Sequence, residues 1–291
     1  MNTATKRRSD YTIGVTLLII SAIAFSSTGI FTKGVEAAAW AVIFWRGVFA
    51  ATSTTAYAVS RGNVRKEFFG MGLSGVAVGI VGAAGTAALI PAFKLTDIAN
   101  VALIYASAPF LAALLAWLTI GERVSTRTAI GAAGALIGVA VIVAGSVGRV
   151  SLIGDGLALL MTSAMAIIMV IYRARPDTPS AGPSVLQSLF LFPLALIFGE
   201  PFQIGLIETA ILAAFGILHA VASVTLAEGA KRVPSGQTAL IGALETPLAP
   251  ILAFVILAEI PTTPTFIGGA VVVAAVVISV WEKPLGTATQ S

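Results

Sequence analysis

The chain contains no cysteine, one histidine, and charged residues at only 10% of its positions. Without cysteine it has no disulfide framework, no thiolate nucleophile and no cysteine metal site. Soluble domains carry roughly 25% charged residues, so this chain has too few charges to cover a water-facing surface. Hydrophobic residues make up 57% of the 291 positions, which indicates that lipid surrounds much of the protein. The basic residues are scattered between apolar runs, which argues against nucleic acid as a partner.

Charged residues divide the sequence into apolar stretches of membrane-spanning length. About 20 apolar residues in a helix cross the hydrocarbon core, and backbone groups in lipid are satisfied within helices. Eight stretches are uncharged and two contain a single charge, Arg46 or Glu245. They lie at 11–32, 37–60, 68–93, 98–121, 128–148, 156–172, 178–199, 209–227, 233–258 and 260–281. The sequence therefore predicts an all-α integral membrane protein with ten transmembrane helices, numbered here as spans 1 to 10.

Lysine and arginine are distributed unevenly between the two sides of this predicted bundle. With the N-terminus in the cytoplasm, the inner segments hold 13 of the 17 basic residues and the outer links hold three. Because basic residues concentrate on cytoplasmic loops, we expect cytoplasmic tails at 1–10 and 283–291 and a bacterial-type inner (plasma) membrane. Lys6–Arg8 and Ala22–Ala24 also resemble a signal peptide, but the apolar run continues to Thr32.

Elements of the first half of the sequence recur in the second half. The matching elements are Gly14 with Gly156, Ser21–Ala24 with Ser163–Ala166, Ala92–Ile104 with Ala230–Gly242, Pro109 with Pro247, and Glu122 with Glu259. This recurrence predicts two five-helix repeats, 11–147 and 152–282. Five is odd, so the second repeat enters the membrane from the opposite side, and such inverted repeats underlie alternating access. A duplication that only enlarged the bundle is the alternative.

The repeated elements resemble a known family over nearly the whole chain. Ala106–Pro109, Glu245–Pro247 and the pair Trp45-Arg46 are similar to the EamA-type family of the drug/metabolite transporter (DMT) superfamily. The resemblance implies a secondary transporter whose central cavity is lined by spans 1, 3, 4, 6, 8 and 9. The Glu245–Pro247 element is most similar to amino-acid exporters of this family, which implies export of amino acids, aromatic ones included, and of some cationic drugs. The first repeat has Ser107 where the second has Glu245, so the acid is unpaired.

Two ionisable residues are predicted near mid-membrane. His219 and Glu245 each lie about 17 Å along their helices from the cytoplasmic end. Ionisable groups at this depth are costly and usually functional, and either side chain could carry a proton or meet a substrate ammonium. The structural alternative is that Glu245 caps the backbone beside Pro247 and that His219 makes an interhelical hydrogen bond.

Prolines and polar residues extend the predicted pathway. Pro109, Pro247 and Pro250 remove backbone hydrogen bonds in mid-span, so we expect spans 4 and 9 to bend and to line the path. The polar residues expected along it are Ser26, Ser27, Asn100, Tyr105, Ser107, Ser163, Gln237 and Thr246.

Three further charges have both structural and functional interpretations. Arg46 either binds a substrate carboxylate or is structural, snorkelling outward or binding helix-end carbonyls, and the sequence favours the structural role. Glu122 and Glu259 follow spans 4 and 9 at matching positions, and we expect them to anchor helix ends or loops.

The remaining motifs limit the function. There is no phosphate-cradling loop and no hydrolase or metalloprotease motif, so we expect neither an ATPase nor another enzyme, and no cofactor or metal. Expected partners are a small-molecule substrate, protons and the lipid bilayer. The Gly134-x-x-x-Gly138 pattern allows close helix packing, either inside the chain or in an oligomer. Alternatives are multidrug or cationic-compound efflux, exchange of another metabolite, and a membrane interaction subunit that transports nothing.

Overall fold

The structure is a computed structural model that describes residues 3–33, 35–96, 98–143, 151–257 and 262–281, and every regular element within these ranges is helical. The α-helices are α1 (Thr3–Ser26), α2 (Thr28–Lys33), α3 (Ala39–Ser60), α4 (Gly72–Leu95), α5 (Ile98–Tyr105), α6 (Ala108–Ile120), α7 (Thr126–Ile142), α8 (Leu152–Ala174), α9 (Ala181–Phe198), α10 (Leu206–Ala230), α11 (Ser235–Gly242), α12 (Glu245–Leu257) and α13 (Thr263–Val280). A π-helical segment, Arg65–Phe69, precedes α4.

In the described part of the chain, eight segments are long and apolar enough to cross a membrane. They correspond to α1, α4, α5 with α6, α8, α9, α10, α11 with α12, and α13. The apolar helix α7 is shorter, with 17 residues, and α3 is not among the eight, since Arg46 and the polar run 52–55 interrupt its apolar sequence. The prediction of an all-α membrane protein is confirmed. The number of ten spans and the orientation of the termini stay predictions.

The two halves of the chain pack largely against each other. Helix α1 packs on α10, and α8, the corresponding helix of the second half, packs on α4. Helix α3 packs on α9 and α10, while its counterpart α9 packs on α3 and α4. Helix α7 lies against its counterpart α13. Exchanging the halves therefore maps these helix contacts onto one another.

Glycines permit the closest of these helix crossings. A Cβ atom added at Gly138 of α7 would lie 2.7 Å from the carbonyl oxygen of Gly268 on α13. A Cβ atom at Gly216 of α10 would lie 2.8 Å from the Arg46 carbonyl oxygen on α3. Helices in lipid associate through close packing of this kind because hydrophobic burial offers them little. The glycine pattern of α7 thus serves a contact inside the chain.

Two spans are interrupted near their middle, at positions that correspond between the halves. One interruption separates α5 from α6 and the other separates α11 from α12. Pro109 and Pro247 lie within the first three residues of the helix that follows each break. Proline lacks an N–H and its ring clashes with the carbonyl four residues earlier, which kinks or breaks a helix, so both prolines favour the interruptions that precede them. Pro250 lies inside α12.

Local hydrogen bonds satisfy part of the backbone at the breaks. The Ser107 hydroxyl donates to the Ile104 carbonyl at 2.6 Å. The Thr246 backbone N–H donates to the Ala243 carbonyl at 3.2 Å. Such compensation is required because an unsatisfied backbone group in lipid is costly.

We expect Gly138→Ala to destabilise the protein, because the added Cβ would push α7 away from α13. Overpacking of this kind costs about 1–3 kcal/mol. The matched control is Gly134→Ala on the same helix, where the nearest atom to an added Cβ is the Ala275 Cβ at 3.3 Å. Thermal unfolding of the purified proteins, followed by size-exclusion chromatography, measures the difference. Equal melting temperatures for the two variants would contradict this account of the crossing.

Candidate functional site

The two helix interruptions bring a phenol and a carboxyl group together inside the bundle. Tyr105 is the last residue of α5 and Glu245 is the first of α12. The Tyr105 hydroxyl lies within hydrogen-bonding reach of the Glu245 carboxyl. Both residues are half-buried, and Tyr105 packs against a hydrophobic core that includes Leu18 of α1, Met169 of α8 and Leu240 of α11. The pair therefore joins the two halves at the point where both helices break.

His219 lies on α10, roughly 17–20 Å from either end of the helix at 1.5 Å per residue. The Phe25 ring of α1 meets the imidazole edge to face, with 5.7 Å between ring centroids and 72° between planes. The Arg46 guanidinium of α3 is close enough to interact with it electrostatically. His219 and Glu245 thus have different immediate neighbours, although α1 packs on the helices that carry both.

Arg46 is enclosed between helices, with only 8% of its surface exposed. Its Cζ atom lies 5.5 Å from the centroid of the Phe215 ring on α10. The Phe31 ring of α2 stacks on Phe215 at 5.3 Å, with 4° between the planes. The sequence favours an arginine that snorkels or binds carbonyls. In the described residues, however, the enclosed Nε atom has no hydrogen-bond partner.

Gln237 links three helices. Its Nε2 donates to the Ser279 carbonyl of α13 at 2.5 Å, and its Oε1 accepts from the Tyr11 hydroxyl of α1 at 2.9 Å. The residue is 3% exposed. These bonds tie α11 to α1 and α13 beside the second interrupted span.

Asn100 belongs to a polar network at one end of the bundle. Its Nδ2 donates to the Thr96 hydroxyl at 3.0 Å, and that hydroxyl donates to the Asp155 carboxylate at 2.6 Å. The network joins the end of α4 to α5 and to the first turn of α8. Asn100 therefore helps to hold α5, the first part of an interrupted span, against α8.

The other predicted polar residues lie along the same helices. The hydroxyls of Ser26 and Ser27, at the junction of α1 and α2, donate to carbonyls three residues earlier at 2.7 and 2.6 Å. Ser163 on α8 and Thr246 on α12 are half-buried. Within the described residues, no three histidine, aspartate or glutamate side chains group as metal ligands would.

Glu122 joins three segments at the end of the bundle where α6 finishes. One carboxylate oxygen accepts from the Ser235 N–H at the start of α11 at 2.8 Å. The other accepts from Arg173 Nε of α8 at 2.7 Å. A carboxylate is favourable at a helix N-terminus because the first N–H groups have no partner within the helix. Its sequence counterpart, Glu259, lies outside the described residues.

A charged cluster lies close to Glu122, at the end of α10. Glu228 accepts from Lys231 at 2.5 Å and from Arg232 at 2.8 Å. Arg232 also donates to Asp10 of α1 at 3.1 Å. Burial lowers the pKa of Arg232, but its hydrogen bond to Glu228 and the charges of Glu228 and Asp10 raise the pKa above its usual value. The cluster therefore fastens α1 to α10.

Two carboxylates that the sequence interpretation missed bind backbone N–H groups of the opposite half, at the start of one helix and just before another. Glu67, before α4, accepts from the N–H groups of Ala181 and Gly182 at 2.8 and 3.3 Å, where α9 begins. Glu208, in the first turn of α10, accepts from the N–H groups of Glu36 and Ala37 at 2.6 and 3.2 Å, just before α3. Both glutamates lie at the start of corresponding spans, and this match in position could have identified them from the sequence.

The aromatic neighbours of the buried charges were also missed by the sequence interpretation. Phe25, Phe31 and Phe215 surround His219 and Arg46. Lipid-facing and bundle-facing positions are both apolar in such a chain, so the sequence does not show which phenylalanine rings lie inside the bundle. The spacing of four between Phe215 and His219 does place them on one face of α10.

An apolar groove lies apart from these residues. It has a volume of about 300 Å³ between α6 and α7, and Phe110, Ala113, Trp117 and Thr128 are among its lining residues. Trp117 is 57% exposed there. Its lining is almost entirely apolar, as expected for a surface that faces lipid.

This fold is that of a multi-pass helical membrane protein with two corresponding halves and polar groups inside the bundle. A family model described as the EamA-like transporter family matches residues 12–144 and 152–281. The chain belongs to the EamA-like transporter family, and the resemblance seen in the sequence is confirmed at that level. Membership identifies a membrane transporter that acts on a small molecule within the bilayer.

A solved structure described as "Crystal structure of protein" has the same fold. Its TM-score is 0.78 and its sequence identity is 20%, and the match covers 93% of this chain and 97% of that one. At this identity the likeness concerns the fold alone. No curated protein matches the chain.

We expect Glu122→Gln to lower the melting temperature of the purified protein. The change removes the negative charge that holds Arg173 and the start of α11, which corresponds to about 1–2 kcal/mol for a partly exposed site. Glu200→Gln is the matched control, because Glu200 is exposed in the segment between α9 and α10. A melting temperature for Glu122→Gln equal to that of the control would show that Glu122 anchors nothing.

Proposed function

We propose that this protein is a secondary transporter that exports small amphipathic metabolites, amino acids first, across a bacterial-type inner membrane. The observation that carries the proposal is the meeting of Tyr105 and Glu245 at two helix interruptions of corresponding position. Within the bilayer, irregular backbone is tolerated where it is buried in protein or lines a cavity. Ionisable groups within membrane spans are rare and usually functional, and substrate paths and proton relays are among their roles.

The proposed mechanism is alternating access between two inverted repeats of five spans each. Its support is the exchange symmetry of the helix contacts and the reciprocal hydrogen bonds that Glu67 and Glu208 accept from backbone N–H groups of the opposite half. With five crossings per half, the second half runs through the membrane in the opposite sense, and both termini lie in the cytoplasm. The Tyr105–Glu245 pair then lies where the halves meet, as substrate sites do in transporters of this architecture.

Glu245 and His219 are the residues proposed to act on the substrate or on protons. The Glu245 carboxylate is suited to a substrate ammonium, and the Tyr105 side chain lies beside it. His219 titrates near neutral pH in its free form. The chain has no nucleotide-binding loop. Transport is then driven either by exchange with protons or by the substrate's own concentration gradient. Thr246, Ser107 and Ser163 are proposed as polar contacts along the path.

Amino acids are the first substrate class to test because of the resemblance to the amino-acid exporter YddG in the Glu245–Pro247 element. Efflux of cationic compounds is the second candidate, and the observation that favours it is the single acid at the centre beside the Tyr105 ring. Counterflow of labelled amino acids into liposomes containing the purified protein, at two pH gradients, tests substrate class and coupling together. No movement of any amino acid, with clear movement of another solute, would overturn the amino-acid assignment. An absence of flux for every solute would favour the non-transporting subunit.

We expect Glu245→Gln to reduce amino-acid counterflow about tenfold or more, because hydrogen bonds and contacts to charged groups are worth about 1.5–3 kcal/mol. Glutamine keeps the shape and the hydrogen-bonding capacity toward Tyr105 but loses the charge. We expect His219→Ala to change the pH dependence of the rate. Glu200→Gln, at an exposed site between helices, controls for the substitution itself. Normal insertion with wild-type rates across pH in both site variants would refute a role for either residue.

We expect single cysteines at Asn63 and Asp177 to be protected from a membrane-impermeant maleimide in intact cells and one at Gln203 to be labelled. All three positions are exposed in segments between helices, and the chain has no cysteine of its own, so only the introduced thiol reacts. Permeabilised cells, in which all three should react, are the control. Labelling of residue 63 or 177 from outside would reverse or abolish the proposed topology.

A further inference from the structure

We propose that Arg46 forms a carboxylate-binding subsite whose ligand carries an apolar or aromatic body packed among the neighbouring aromatic rings. The inference deepens the proposed function and rests on it for the view that the ligand is a substrate. The site is distinct from the Tyr105–Glu245 pair, because its residues come from α1, α2, α3 and α10.

The first argument is the isolation of the charge. Arg46 is buried, and no described carboxylate pairs with it. His219 is close enough to interact with it electrostatically, and a histidine carries no negative charge in either ordinary protonation state. A buried ion without a partner is costly by several kcal/mol. A structure that keeps such an ion is completed by an anion that arrives from outside the chain.

The second argument is the unused donor. The Nε atom of Arg46 is fully enclosed and has no acceptor in the part of the chain that the structure describes. Buried donors without partners are rare in proteins and each requires an explanation. The guanidinium fork offers paired N–H groups that match the two oxygens of a carboxylate. A structural arginine at this position would instead bind helix-end carbonyls.

The third argument is that the backbone is arranged to bring the charge to this place. Gly216 lets α3 approach α10 so closely that a Cβ atom there would lie 2.8 Å from the Arg46 carbonyl oxygen. Phe215 and His219 flank this crossing on α10, and the guanidinium lies over the Phe215 ring at 5.5 Å. A cation over an aromatic face is partly stabilised, and among the described residues the Nε donor of this cation has no acceptor.

The surroundings define the ligand class. Phe215 lies beneath the guanidinium and is itself buried. The half-buried rings of Phe31, which stacks on Phe215, and Phe25, which meets His219, supply aromatic surface nearby. One cation suits one carboxylate, whereas a phosphate monoester carries up to two negative charges and is usually held by several cations or backbone donors. The subsite therefore fits a monocarboxylate with an aromatic or branched apolar group, such as an amphipathic amino acid or its deaminated analogue.

The test uses two probes that differ only in the carboxylate, 3-phenylpropanoate and the neutral 3-phenylpropanamide. Binding of each to the purified full-length protein is measured by equilibrium dialysis and by the ligand-induced rise in melting temperature. We expect the acid to bind the wild-type protein about tenfold or more tightly than the amide. Equal binding of acid and amide by the wild-type protein overturns the proposal, whatever the variants do.

Substitutions then assign the effect to Arg46. We expect Arg46→Gln to abolish the preference for the acid, and Arg46→Lys to keep part of it because lysine retains the charge but not the planar fork. Arg61→Gln is the matched control, since Arg61 lies exposed at the end of the same helix, over Tyr57. An unchanged preference in Arg46→Lys and Arg46→Gln contradicts the assignment. If Arg46→Gln fails to fold, Arg46→Lys and the wild-type probe pair decide.

Counterflow of phenylalanine in liposomes separates this proposal from the proposed function. Arg46-dependent binding of the acid without any flux supports the subsite and overturns the transport proposal. Flux of phenylalanine that is unchanged in Arg46→Lys and Arg46→Gln supports transport and overturns the subsite.

Discussion

The requirement that every polar group in the bilayer find a partner within the protein governs this structure. Lipid offers no hydrogen bonds, so the backbone is helical wherever the structure describes regular elements. The two places where helix geometry fails, before Pro109 and Pro247, are buried between the halves and are supported by local bonds from Ser107 and Thr246. The same requirement accounts for Tyr105 beside Glu245. Among the described residues, the Nε of Arg46 and the hydroxyls of Thr54 and Ser235 depart from it, and Arg46 is the charged group among them.

The two polar centres differ in the sign of their charged residue and in the parts of the helices that form them. The Tyr105–Glu245 pair is formed by helix ends, one from each half, and the acid there has a neutral partner. The Arg46 centre is formed by the faces of uninterrupted helices and has aromatic rings as its main neighbours. Helix α1 packs on both α10 and α12, so a small displacement of α1 would affect the surroundings of both centres. An amphipathic substrate with one positive and one negative group matches this division of charge.

The sequence predicts the class of fold well because charges are rare enough to mark where helices end. The same apolar composition hides which helices are neighbours, since a helix inside the bundle and one facing lipid have similar side chains. Gly138 illustrates the limit, because its spacing indicates a close contact but does not identify Gly268 as the partner. Arg46 illustrates the same limit for the site. The sequence shows how deep Arg46 lies in its span, but it does not show that Phe215 of α10 lies beneath it or that Phe31 of α2 stacks on Phe215. Glu259 stays an expectation, as it lies outside the described residues.

The reciprocal hydrogen bonds of Glu67 and Glu208 have a consequence for how such a chain arises. Glu67 binds the first N–H groups of α9, and Glu208 binds the segment that leads into α3, so each half supplies a carboxylate to the corresponding region of the other. A half on its own would lack the carboxylate for this region, and a second copy would supply it. Joining the two copies in one chain fixes their ratio at one to one. It also allows the two copies to differ, as at the matching positions that hold Ser107 in one half and Glu245 in the other.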